Sequence, residues 1–345
     1  MTDAWRHGLR NAGAATLKNG AVAALYYAGG ELGLLQQLVG GQVTPLWPPT
    51  GIALAALLLF GPRVWPGIAL GAFLVNAAPG PSLTVDLAIT AGNTLALLSS
   101  YALLRRAGFR TRMDRLRDAL ALVFLGAFTG MLISATVGAA TLRLADALPP
   151  GGFWPTWWVW WTGDAMGVLL VAPVLFVLGS ARRPKDVPPS RWAEASLLVA
   201  ATIAVGFLET SAAPLIFLAF PLLTWAAFRF QHAGAAPCAL AASTFAIYAA
   251  TRQTGPFTGH TLLTSMVSLQ AFNGAAALTA LLLSAVVIER NQTLERVERA
   301  CARLAELVAR TARDTGAPPV VAHDRDDGEE EEGAGEGEGD GGRRD

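Results

Sequence analysis

The chain has 345 residues, 26 basic and 26 acidic side chains, 53% hydrophobic content and only 15% charged residues, where a soluble globular protein carries about 25%. A pair of soluble domains is excluded at this hydropathy, because the apolar residues gather in blocks that read as membrane spans. The zero net charge hides a division: residues 324–345 hold eleven acids and three bases, so residues 1–323 carry a net +8, and their arginines mark span ends rather than a face for nucleic acid.

Ten apolar segments can be drawn in chain order: 17–39, 46–60, 64–78, 84–104, 119–144, 157–179, 192–210, 214–231, 234–252 and 262–288. The first follows a basic stretch, 1–16, with Arg6 and Arg10, and has Lys18 at its start. It contains Glu31 and lacks a small-x-small site before a polar region, so it reads as an uncleaved span. Leu46 to Ala78 is 33 residues, short of the ~40 that two spans need. Pro62 and Pro66 interrupt it, so it reads as two short tilted helices or a re-entrant hairpin. The connection after the fourth segment carries Arg105, Arg106, Arg110, Arg112, Arg115 and Arg117, and that after the sixth carries Arg182, Arg183, Lys185 and Arg191. The alternate connections are nearly bare of charge. Basic residues are retained in the cytoplasm, so the expectation is an all-α integral membrane bundle of 8–10 helices in a bacterial cytoplasmic membrane, with both termini in the cytoplasm.

Trp47-Pro48-Pro49-Thr50-Gly51, followed by Phe60-Gly61-Pro62-Arg63-Val64-Trp65-Pro66-Gly67 and Leu70-Gly71-Ala72-Phe73, resembles the first-type membrane-associated sensor (MASE) domain of bacteria. The stretch Trp158 to Pro173, with Trp161, Gly163-Asp164-Ala165 and Gly167, is similar to that family's second signature. The likeness spans about residues 17–290. It implies an integral membrane input domain, which in the family precedes a histidine kinase, a cyclase or a similar output module. From Glu289 onward only 57 residues remain, too few for a catalytic domain of about 100 or more, and no kinase or cyclase motif occurs. The expected output partner is therefore either another chain, a separate kinase, cyclase or membrane transporter, or absent.

Reckoned from each segment's outer end, Glu31, Asn93, Asp164, Thr244, Gln270 and Asn273 lie roughly 10–16 Å deep. Intramembrane ionisable groups are costly and face an interior or a wet cavity. The expectation is a polar layer centred on Asp164 and Glu31, with Asn93, Gln270 and Asn273 nearby and Trp47 and Trp161 at its edge. The amides and Thr244 can equally serve to tie helices together. Arg143 is a candidate partner for Asp164, and Asp146 competes for it. Trp154, Trp157, Trp158, Trp160 and Trp161 read as an interfacial belt or as a cage for a cation. Gly67 and Gly71 permit close helix approach, and Pro48 and Pro49 fit the first turn of a helix.

Cys238 and Cys301 form no disulfide framework. The four histidines make no metal cluster, and no cofactor motif occurs. Cys238 and Ser243 have no acid or histidine at a spacing that would make a nucleophile, so an enzyme is not expected.

Beyond Glu289, Leu294, Val297, Cys301, Leu304 and Val308 recur at coiled-coil spacing. A cytoplasmic helix over 291–313 is expected, either as a signalling dimer through 289–313 or as an amphipathic end on the bilayer surface. Residues 314–345 have the composition of a disordered acidic tail. Two functions compete: a sensory module whose outer half binds a small ligand or partner membrane protein, and a secondary transporter using Asp164 and Glu31.

Overall fold

A computed structural model describes residues 3–35, 44–77, 82–180, 188–210 and 215–314. Among the described residues every regular element is helical. In chain order they are α1 (Asp3–Leu34), α2 (Pro48–Phe60), α3 (Trp65–Ala77), α4 (Leu83–Arg106), α5 (Leu116–Leu144), α6 (Phe153–Ser180), α7 (Pro189–Glu209), α8 (Ala219–Phe230), α9 (His232–Arg252) and α10 (Leu262–Asp314). The chain divides into a unit of Met1–Gln292 and a second of Thr293–Asp345. The bare connections at 40–43 and 78–81, together with Arg182, Arg183, Lys185, Pro214 and the acidic tail from Thr315, lie outside the described residues.

Six helices among the described residues, namely α4, α5, α6, α7, α9 and the Thr264–Thr311 part of α10, are long and apolar enough to cross a membrane. The protein is a multi-pass membrane bundle. Segments 46–60 and 64–78 become two helices of 13 residues each. At ~1.5 Å per residue each spans about 20 Å, short of a ~30 Å hydrocarbon core. Gly61, at φ 86°, and one 3₁₀ turn at Pro62–Val64 join them.

Small residues decide how these short helices are held. α1 turns Val22, Ala23, Tyr26, Gly29, Gly30 and Gly33 inward at helical spacing. A Cβ on Gly67 would overlap the Asn19 carbonyl, and one on Gly71 would stand 2.7 Å from the Tyr26 Cβ, so α3 lies backbone-close against α1. Asn19 completes the contact. Its Oδ1 accepts from Gly67 N at 2.7 Å, and its Nδ2 donates to the Arg63 carbonyl at 3.3 Å. α2 is apolar all round, and Ala53, Leu54 and Leu57 are fully enclosed, as expected of a helix packed on every side.

α5 and α6 each contain a widened π stretch, Leu122–Thr129 and Gly167–Val171. In α5, Gly126 O accepts from Ser100 Oγ (3.0 Å) and Phe128 O from Trp161 Nε1 (2.9 Å). In α6, Pro173 follows the π stretch and has no N–H to return to the preceding turn. Side chains that enter the carbonyl ladder, and prolines, are the usual causes of such openings.

The arginine-rich connection is knit rather than loose. Arg110 pairs with Asp114 and Asp118, Arg117 Nη2 donates to Ala107 O at 2.8 Å, and His232 Nε2 lies 2.9 Å from Met113 O. Leu116 N, at the start of α5, donates to Glu289 Oε2 at 3.1 Å.

From Thr293 onward the second unit is the remainder of α10. Leu294, Val297, Leu304 and Val308 are 51–64% exposed, and Glu295–Arg299 and Glu306–Arg310 pair along the helix.

The glycine contact is testable. Gly67→Val drives a branched side chain into the α1 backbone and is expected to lower stability by about 1–3 kcal/mol. Gly20→Ala, where nothing lies within 4 Å of the new Cβ, is expected to be neutral or mildly stabilising. Thermal unfolding in detergent measures both.

Candidate functional site

The two sequence signatures meet. The segment Thr44–Trp47 leads into α2, whose second residue is Pro49 after Pro48, and it runs along the glycine face of α6. Trp47 N donates to Gly163 O at 3.0 Å. The Thr50 hydroxyl lies 2.7 Å from Trp47 O and 3.1 Å from Asp164 O. A Cβ on Gly163 would stand 2.6 Å from Thr44 O, one on Gly167 would overlap Trp47 O, and one on Gly51 would overlap Gly167 O. These three glycines are thus needed for a backbone-to-backbone contact. Gln270 of α10 ties the same segment, donating from Nε2 to Pro45 O (3.0 Å) and Thr162 Oγ1 (3.2 Å).

While its carbonyl faces Thr50, the Asp164 side chain turns to α5. At 1% exposure, its Oδ2 lies 2.7 Å from Ser134 Oγ. Ser134 Oγ also lies 2.8 Å from the Asn93 amide and accepts from Trp160 Nε1 at 3.1 Å. One hydroxyl has one proton and two lone pairs. With the Asn93 amide turned to present its N–H, the arrangement closes: Trp160 and Asn93 donate to Ser134, and Ser134 donates to Asp164. Amide orientation is assigned from such networks. Tyr26 of α1, also 1% exposed, has Trp47, Asn93 and Asp164 as its polar neighbours. Its hydroxyl closes no hydrogen bond of ordinary geometry.

The other expected members fall into two groups. Trp161 donates to Phe128 O and stacks on Trp157, with ring centroids 5.9 Å apart and planes 16° apart. Trp157 Nε1 donates to Thr136 Oγ1 at 3.0 Å, while Trp154 and Trp158 are exposed. Trp157 and Trp161 thus bind α5, and the indoles pack on one another. Asn273 is fully buried, with neither amide atom bonded. It lies one turn from Gln270 on α10.

Two expectations, for Glu31 and Thr244, are corrected, and of the two acids offered to Arg143 one takes it. Glu31 is exposed beside Tyr27, not in the layer with Asp164. It is five residues past Tyr26, and 100° per residue carries it to another face. Arg143 pairs with Asp146 at 3.6 Å, its neighbour one turn on, and not with Asp164. Thr244 is exposed and bonds its own helix at Leu240 O. Three residues were missed. Ser134 and Tyr26 gave no signal beyond lying in apolar segments. Glu209 reads in sequence as a charge at a segment end, yet it is buried and shares a cavity with Cys238, so an acid does approach that thiol.

Among the described residues, no group of three His, Cys, Asp or Glu could hold a metal ion.

The MASE1 family model matches residues 19–291. The chain belongs to this family of membrane-associated sensory domains. No curated protein and no solved structure matches it.

Ser134→Ala leaves Trp160, Asn93 and Asp164 without their common partner, and is expected to cost about 1–3 kcal/mol. Glu31→Gln, on an exposed face, is expected to stay within about 0.5 kcal/mol. Denaturation in detergent followed by tryptophan fluorescence compares them, and equal effects would remove the distinction between the two carboxylates.

Proposed function

We propose that this MASE1 chain is a sensory input module that reads a small ligand or a partner membrane protein at the Asp164 layer. It passes the state to the helical stretch 289–313. The observation that carries the reading is that one residue, Asp164, joins α6 to two of its neighbours: its carbonyl meets the Thr50 hydroxyl of α2 and its carboxylate meets Ser134 of α5. A group that binds the carboxylate therefore acts on the helix packing. It shifts the balance between two packings by its difference in affinity for them. Asn93, Trp47, Trp161, Gln270 and Asn273 support that layer in this reading.

The charge pattern supports an inner-membrane orientation with both termini in the cytoplasm. The exposed seam from Leu294 to Val308 supports a homodimer through 289–313. The acidic residues beyond it then act as a solvating tail. The output comes from another chain, a signalling kinase, a cyclase or a membrane transporter. A second reading, a secondary transporter, is favoured by the paired short helices α2 and α3 beside a buried carboxylate. It loses Glu31 as a second carrier residue, because Glu31 is exposed.

Full-length protein recovered in nanodiscs at native expression, with mass spectrometry of what co-purifies, tests the choice. The sensory reading expects a signalling partner in stoichiometric amount, lost on deletion of 289–313. Asp164→Asn should keep the partner and change its output. A homo-oligomer without partner, showing solute flux that Asp164→Asn abolishes, would establish the transporter instead.

A further inference from the structure

Another buried carboxylate lies away from the Asp164 layer. Glu209 ends α7 and is 1% exposed, and among the described residues neither carboxylate oxygen has a hydrogen-bond partner. It lines a narrow, partly open cavity between α7, α8 and α9, with room for about one water-sized guest, together with Thr202, Gly206, Leu222, Leu223 and Cys238. We propose that this cavity binds one small monovalent cation of sodium or potassium size, held by the Glu209 carboxylate.

An unpaired buried carboxylate is costly, and a counter-charge removes the cost. The backbone adds to the attraction, because the C-terminal end of a helix presents unpaired carbonyls and a negative partial charge. Thr202 gives its proton to Leu198 O at 2.8 Å. Its oxygen, 3.4 Å from Cys238 Sγ, therefore keeps a lone pair for a guest. One carboxylate and neutral walls set the charge of that guest. A monovalent ion leaves the cavity neutral, whereas a divalent ion would leave a net positive charge against leucine.

Cys238 reports on the cavity from inside. In a Cys301→Ser background it is the remaining thiol of the two, so full-length protein in nanodiscs can be labelled there with a small methanethiosulfonate. At constant ionic strength, sodium or potassium chloride is expected to slow labelling several-fold and saturably relative to N-methyl-D-glucamine chloride. Glu209→Gln is expected to abolish that protection. A rate indifferent to the cation, as a carboxyl that simply keeps a proton would give, overturns the proposal, as does protection that survives Glu209→Gln. Should Glu209→Gln fail to fold, equilibrium dialysis of the Cys301→Ser protein against radioactive sodium and thallous ions decides. Saturable uptake of either ion that also slows Cys238 labelling supports the site, and no saturable uptake overturns it.

Discussion

Everything around the Asp164 layer depends on how closely the entry of α2 approaches α6. Between helices in lipid there is little hydrophobic drive, so association rests on close backbone packing and on hydrogen bonds across the contact. Gly51, Gly163 and Gly167 supply the closeness, since a Cβ on any of them would collide with a facing backbone oxygen. The Trp47 N–H and the Thr50 hydroxyl supply the bonds. With one side of α6 committed to α2, the Asp164 side chain and three indoles are left to face α5. Trp157, Trp160 and Trp161 donate to Thr136, Ser134 and Phe128 respectively. The aromatic run thus secures the far side of the helix that the glycines secure on the near side.

The two π stretches follow from the same arrangement. Carbonyls of α5 at Gly126 and Phe128, and of α6 at Gly163 and Asp164, serve donors from other helices. Helical turns that share their acceptors in this way open locally. Unpaired peptide groups are not tolerated against lipid, and here the extra donors come from protein. The widened turns are where backbone polarity is brought into the bundle beside a buried carboxylate.

The long apolar blocks and their interruption at Pro62 and Pro66 were legible as helices, and the two short helices stand where the prolines and Gly61 put them. Asp164 was legible because a carboxylate inside an apolar run needs a partner, and the paired signatures marked Trp47, Gly51, Gly163 and Gly167 together. The partners themselves were not. Depth along a segment says nothing of direction around it, which is why Glu31, at nearly the same depth as Asp164, faces away. Arg143 was within reach of two acids in sequence, and the one a single turn away took it. Ser134 is one small residue among many in α5, and only the fold shows that three side chains converge on it. Glu209 is invisible to any argument that treats charges at segment ends as solvated, since its burial is made by the way the next two helices fold back on α7.

Asn19 has a bearing on how the molecule comes to be built. The opening N–H groups of a helix have no partners within it. In α3, Pro66 has no N–H to satisfy, and Gly67 is satisfied by a side chain of α1. The turn just before it, at Arg63, is held by the same amide. Each helix of the α2–α3 pair is too short to cross the bilayer alone, and the pair cannot close its own backbone at the joint. During synthesis α1 leaves the ribosome first, so the template that completes the joint is already present when the proline-interrupted pair follows. The N-terminal helix thus acts as a built-in assembly platform, and chain order is itself part of the folding instruction.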